Sequence, residues 1–250
     1  MNTEIAKIFS QIILADKPVR IKLLGDSITH GVGGTGFDQN GDPIVKGFAR
    51  NPNGYCWANL LRDFLEKNFS CQVVNNGCTG TKIDFIIDNF DQLVDPEDDI
   101  IICTIGTNNR SHYFSSGPVP TKQTRQKEIY GKILALADKF KKAGKQIIFM
   151  SNIPASADNE NRTYDPQFGE LCRVVHMNDI HDLYLKTSFD KGFPLIDLYT
   201  AFLNYCHNHN LSLDDLLDDG LHPNDRGYEV MFRLILQELG IALPLPGVTN

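Results

Sequence analysis

A chain of 250 residues with 42% hydrophobic, 22% charged and 10% aromatic residues has the composition of a soluble globular protein with ample core material. At this length roughly 70–75% of the unfolded surface is expected to be buried. A formal net charge of −7 argues against a nucleic-acid partner, which wants a basic face, and weakly against binding to anionic membrane surfaces.

The opening stretch, MNTEIAKIFSQIILADK, is too polar for a secretory leader. No stretch approaches the ~20 apolar residues that span a bilayer. The six cysteines form no C-x-x-C pair, and several sit within apolar runs, as at Ile102-Cys103. They read as reduced, buried thiols, so a cytoplasmic location is expected.

The first strand is expected over Val19 to Leu24, ending in the turn Gly25-Asp26-Ser27-Ile28-Thr29. Gly31 to Gly54 reads as a long irregular loop, rich in Gly, Asn, Asp and Pro. Loops of that length are usually functional or mobile. Trp57, Leu60, Leu61, Phe64 and Leu65 then repeat with helical period. A second strand is centred on Gln72 to Val74 and followed by Asn75-Asn76-Gly77-Cys78-Thr79-Gly80. Ile83, Ile86, Ile87 and Phe90 mark a helix, Ile100 to Ile105 a third strand, and Gly106-Thr107-Asn108-Asn109 the turn after it. Ile129, Ile133, Leu136, Ala137 and Phe140 mark the next helix, stopped at Gly144. Strands follow at Gln146 to Met150 and Pro194 to Leu198. Asp218-Asp219-Gly220-Leu221-His222-Pro223 precedes a last helix from Tyr228 to Leu239, stopped by Gly240, and a loose tail is expected from Pro244 to Asn250.

The strands are short, β-branched and barely alternating, as parallel strands buried on both faces are. Their alternation with helices predicts a doubly wound parallel sheet of about five strands in one domain over residues 1–250. Ligands bind such sheets at the carboxyl ends of the strands. Four polar, glycine-bearing turns are predicted on that rim.

Those turns carry the parts of a nucleophilic hydrolase. A serine hydroxyl needs a base within hydrogen-bond reach, and a neutral histidine can be that base near pH 7. The histidine needs a carboxylate on its other ring nitrogen. Ser27 is the expected nucleophile, His222 the base and Asp219 its orienter, three residues before it. The backbone N–H groups of Ser27 and Gly80 and the Asn108 amide could stabilise a developing oxyanion. Asp218 is the competing acid, and Asp26 reads as a turn-stabilising side chain. Helix capping is the commonest other fate of a serine placed like Ser27.

Gly25-Asp26-Ser27-Ile28, Gly80, Gly106-Thr107-Asn108 and Asp219-x-x-His222 resemble, in order and placement, the four blocks of the SGNH hydrolases, also called GDSL esterases and lipases. The resemblance implies a three-layer α/β/α, flavodoxin-like fold and a serine esterase that needs neither metal nor cofactor. It implies Ser27 as nucleophile, Gly80 and Asn108 as oxyanion donors and His222 as base. At position 109 this chain has Asn where the family often has Asp.

Other readings are weaker. Gly31, Gly33 and Gly36 spell G-x-G-x-x-G but neither follow a strand directly nor open an apolar helix, as a dinucleotide site requires. An α/β-hydrolase elbow would want Gly where Thr29 stands. His176 with His181, and His207 with His209, are poorly spaced for a metal, whereas His30 and His112 lie near the predicted rim. A non-catalytic binding module remains the rival of another class. Within the esterase class, a lipase, lysophospholipase, thioesterase or acyltransferase would share these residues.

The expected substrate is a short-chain, acetyl-like ester of a saccharide or similar polar alcohol. The pocket loops, 31–54, 110–121 and 151–167, are polar, with scattered aromatics such as Phe37, Tyr113, Phe114 and Tyr164. A long acyl chain would want a continuous apolar channel, at about 0.8 kcal/mol per buried methylene.

Overall fold

The structure, a computed structural model, describes residues 3–14 and 17–241. The predicted tail from Pro244 lies outside them. In chain order the elements begin with α1 (Thr3–Ile13), β1 (Val19–Gly25) and the four-residue α2 (Ser27–His30). The strands β2 (Pro43–Val45) and β3 (Phe48–Ala49) precede α3 (Trp57–Asn68) and β4 (Cys71–Gly77). Two short helices follow, α4 (Ile83–Asp88) and α5 (Phe90–Leu93), then β5 (Ile100–Thr104), β6 (Ser111–Tyr113), α6 (Lys122–Lys142) and β7 (Gln146–Met150). The remainder is α7 (Ala157–Glu160), β8 (Tyr164–Asp165), β9 (Gly169–Arg173), α8 (Met177–Lys191), β10 (Leu195–Ile196), α9 (Leu198–Asn208) and α10 (Asp225–Glu238).

Five strands form one sheet in the order β10-β7-β5-β1-β4, and every pairing is parallel. Counted among those five alone, the order is 2-1-3-4-5, that of flavodoxin-like folds. Strand side chains alternate between two cores. Ile100, Ile102, Ile148 and Met150 face Trp57, Leu61, Phe202 and Met231 of α3, α9 and α10. Ile101, Cys103, Ile147 and Phe149 face Ile129, Ile133, Phe140 and Tyr184 of α6 and α8. Burying one such aliphatic or aromatic side chain contributes about 1.5–3 kcal/mol, so both faces must be covered and three layers result.

The structure departs from the sequence reading in three places. The loop 31–54 is neither wholly irregular nor loose. β2 and β3 pair antiparallel within it, and it is tied to the carboxyl-terminal part of the chain. Asp225 accepts from Thr35 N and Oγ1, both at 2.7 Å, and Tyr228 Oη donates to Val32 O at 2.7 Å. The helix read from Ile83 to Phe90 breaks at Asn89, whose φ of −108° and ψ of 21° end α4 and start α5. Three helices of more than ten residues were not foreseen, α1, α8 and α9, nor were the four-residue α2 and α7 or the antiparallel set β6-β9-β8. Among the described residues no helix is long and apolar enough to cross a membrane.

Candidate active site

The order of the sheet reverses at β1, whose neighbours are β4 and β5. The crevice outside the carboxyl ends at such a reversal is where open α/β sheets bind ligands. Ser27 follows β1 there without an intervening residue other than Asp26. Asp26 caps α2, its Oδ1 accepting from Ile28 N at 3.1 Å, which leaves Ser27 as the first helical residue rather than the cap. Burial pushes the Asp26 carboxyl up from its ordinary value, against hydrogen bonding and the positive charge of Arg110.

Ser27 and His222, 195 positions apart, meet at 2.8 Å between Oγ and Nε2. His222 Nδ1 lies 2.9 Å from Asp219 Oδ2. The other Asp219 oxygen accepts from Leu221 N at 3.0 Å and His222 N at 2.8 Å, so one turn fixes carboxylate and ring together. Desolvation acts to raise the Asp219 carboxyl, but the imidazole and the two backbone N–H groups outweigh it and hold the group well below the usual carboxylate range. Asp218 is exposed and its N–H donates to His222 O at 2.7 Å, whereas the ring nitrogen bonds Asp219. The final helix is capped by Asn224, not by Asp219.

Gly33 permits this approach. At its φ of +93° an added Cβ would stand 2.5 Å from Pro223 O and 3.1 Å from His222 Cβ. The glycines of G-x-G-x-x-G therefore follow a four-residue helix, Gly33 packing beside the histidine turn and Gly31 on Asn51 and Cys56, and the next element after them is strand β2 rather than a helix N-terminus for a phosphate.

Gly80 has a φ of +76° and nothing within 4 Å of its missing Cβ, so its backbone faces open space. Asn108 Nδ2 donates one hydrogen to Thr81 O at 2.9 Å, which ties the two loops together and leaves its second hydrogen available. Asn109 accepts from Ile83 N at 3.1 Å through Oδ1, a bond that a carboxylate oxygen would make equally, so the Asn at this position keeps the Asn108 loop on α4. Asn108→Ala is expected to lower kcat for an activated ester by roughly 10²–10³-fold with the fold retained, the usual loss for one oxyanion donor.

Sequence reasoning missed the residues under that loop. Asn152 Nδ2 donates to Thr107 Oγ1, and Arg110 Nε donates to Thr107 O at 3.0 Å. Arg110 is fully buried, and its Nη1 and Nη2 reach Glu160 at 2.7 Å and Asn159 at 3.2 Å. Burial pushes its guanidinium down to about 10, and Glu160 opposes this, so it stays charged at neutral pH. Arg110 was legible only as the residue after the Asn block; its partners lie about 50 positions away in α7.

Beside Gly80 lies a cleft of about 640 Å³ whose walls come from the 31–54 loop, the turn after β4 and the segment between β8 and β9. His30 lines it, whereas His112 turns to Gly117 O and Arg125. Its rings are Phe48, Phe85 and Phe168. The aromatics expected there sit elsewhere: Phe37 packs edge-on to His30, Tyr113 packs on Phe168, and Phe114 and Tyr164 are exposed. Three of the other histidines have structural partners, and His207 is exposed. His176 caps α8, His181 bonds Asp197 at 2.9 Å, and His209 bonds Tyr205 O at 2.9 Å. Among the described residues no group of three or more His, Cys, Asp or Glu side chains is gathered to hold a metal ion.

The model of the GDSL-like lipase/acylhydrolase family matches residues 23–230. No curated protein sequence matches. Among solved structures, the acetylxylan esterase Axe2 of Geobacillus stearothermophilus is similar at 18% identity and a TM-score of 0.62, over 93% of this chain and 97% of that one. LAE5, an alpha/beta hydrolase enzyme from the metagenome of Lake Arreo, Spain, is similar at 21% identity and a TM-score of 0.66, over 91% and 98%. Axe2 variants at a serine, an aspartate and a histidine are described as catalytic mutants, the last two changes being three positions apart.

Proposed function

The chain belongs to the GDSL-like lipase/acylhydrolase family and is a carboxylic ester hydrolase, and we propose that it releases short acyl groups, acetyl above all, from a saccharide or similar polar alcohol through an acyl-enzyme. Ser27 Oγ attacks the carbonyl carbon as its proton passes to His222 Nε2. The Asp219 carboxylate accepts the Nδ1–H bond and supports the imidazolium. The N–H groups of Ser27 and Gly80 and the Asn108 amide receive the oxyanion. Collapse expels the alcohol, protonated by His222, and a water activated by the same ring releases the acid and restores Ser27.

The observation that carries this reading is the unbroken relay from Ser27 through His222 to Asp219, at 2.8 and 2.9 Å, on the rim where the sheet order reverses. The three-residue spacing of aspartate and histidine among the catalytic mutants of Axe2 supports the choice of Asp219. The acetyl preference is supported by that protein's substrate and by the cleft beside Gly80, where Gln39, Thr79, Lys82 and Gln167 interrupt the rings. With all six cysteines free, the cytoplasm suits this chain.

Catalytic efficiency against 4-nitrophenyl esters of two to twelve carbons tests the acyl preference. The expected result is a maximum at two to four carbons. A maximum at eight or longer would turn the reading to a lipase or lysophospholipase.

A further inference from the structure

The cleft beside Gly80 has a one-sided charge pattern. The chain has 31 acidic and 24 basic residues, yet the cleft is lined by one charged side chain, Lys82, and by no carboxylate. Lys82 is half-buried at the start of α4. The acids near it are engaged elsewhere: Lys132 binds Asp84 at 2.8 Å and Glu128 at 2.6 Å, and Arg125 binds Glu128 at 3.1 Å. Among the described residues no hydrogen bond or ion pair holds the Lys82 ammonium. Burial and the charges of Arg125 and Lys132 push it down from its ordinary value, so a negative partner would relieve it.

His30 lines the same cleft, is 3% exposed, and its Nε2 makes no close side-chain hydrogen bond. Its Nδ1 lies 2.7 Å from Thr79 Oγ1. If the Thr79 hydroxyl donates to Nδ1, the ring proton sits on Nε2. Burial pushes the imidazole down, against hydrogen bonding to the Ala49 backbone, and keeps it neutral at pH 7. It is then an N–H donor without charge.

We propose that this cleft is the subsite for the alcohol part of the ester, and that it selects a saccharide bearing a carboxylate, held by the Lys82 ammonium and the His30 Nε2–H against the rings of Phe48, Phe85 and Phe168. The inference rests on the esterase reading: of the candidate catalytic residues only Gly80 lines the cleft, and its volume of about 640 Å³ is far more than an acetyl group fills, so the alcohol takes it. A low-dielectric cleft with one cation concentrates an anionic substrate even on a protein of net negative charge.

The test compares acetylated methyl glucuronoside with acetylated methyl glucoside, which differ in the carboxylate alone, by acetate release. The wild type is expected to favour the acidic sugar in kcat/KM by at least about tenfold at low salt, and less as salt screens the pair. Lys82→Met is expected to abolish that preference, Lys82→Glu to invert it and Lys82→Arg to retain it. His30→Phe should raise KM for the acidic sugar severalfold. An unchanged ratio of the two efficiencies in Lys82→Met, with hydrolysis of both still dependent on Ser27, would overturn the subsite and leave the esterase reading standing. Failure of the wild type to hydrolyse either sugar or 4-nitrophenyl acetate would instead overturn the esterase reading. A Lys82-dependent preference for 4-nitrophenyl hemisuccinate over butyrate, absent from the sugar pair, would move the anion to the acyl side and overturn the alcohol assignment.

Discussion

Ser27→Ala and His222→Ala are each expected to lower kcat for 4-nitrophenyl acetate by on the order of 10⁴–10⁶-fold, with circular dichroism unchanged. In the proposed mechanism Ser27 Oγ is the nucleophile and the ring nitrogen 2.8 Å away takes its proton, so each variant removes one half of the attacking pair. Because the two act as one unit, the double variant should be hardly slower than either single one. The residual rate would come from the oxyanion donors and binding alone. Chelators should leave the wild-type rate unchanged, because base and electrophilic donors are both side-chain or backbone groups of the chain. Full activity in folded Ser27→Ala would remove the serine mechanism altogether.

What was legible in the sequence follows from which interactions are local. β7 falls on Gln146–Met150 as read, and β1 and β5 differ from the expectation by one residue, because short β-branched runs bounded by turn residues leave little choice. α8 escaped because its buried face, which includes Asp179, His181 and Thr187 among Met177, Ile180, Leu183 and Tyr184, breaks the apolar period. α9 escaped because Leu198 reads as the end of a strand, although it opens the helix behind Asp197. Lys22 lies inside the first apolar run yet is 1% exposed, held by Asp98 at 3.4 Å and Asp95 at 2.8 Å. Its acids are more than 70 positions away, beyond any local pattern.

The candidate site divides in the same way. The four blocks are legible because each turn needs particular residue types at its own position. Their supports are not, since the Asn152–Thr107 and Arg110–Glu160 contacts join segments whose pairing is set by the order of the sheet. Of the loops expected to build the pocket, 31–54 lines the cleft, 151–167 reaches it only at Gln167 and 110–121 does not line it, and the rings were misjudged as well. Phe168 enters it from the turn between β8 and β9, a strand pair too short, at two and five residues, to stand out by period.

Asp219→Asn is expected to cost on the order of 10⁴-fold in kcat, against little change for Asp218→Asn. An asparagine at 219 can still accept from Leu221 N and His222 N through Oδ1, as Asp219 does at 3.0 and 2.8 Å, so the turn should survive. Its other atom would then be an amide N–H pointing at His222 Nδ1, where Oδ2 now lies at 2.9 Å. That forces the ring proton onto Nε2, the atom that must accept from Ser27. The substitution thus inverts the tautomer and removes the charge that supports the imidazolium. The wild-type carboxyl, held well below its ordinary range, stays ionised at every pH where a neutral histidine is available. The stability it contributes is present above the ordinary carboxylate pKa and fades only as pH falls toward the depressed one. Loss of activity in Asp219→Asn should therefore persist from pH 6 to 9 rather than recover at either end. Parallel pH–rate profiles of the two variants decide the matter. A larger loss in Asp218→Asn, or recovery of Asp219→Asn at high pH, would mean that the acid in contact with the ring is not the one that supports it.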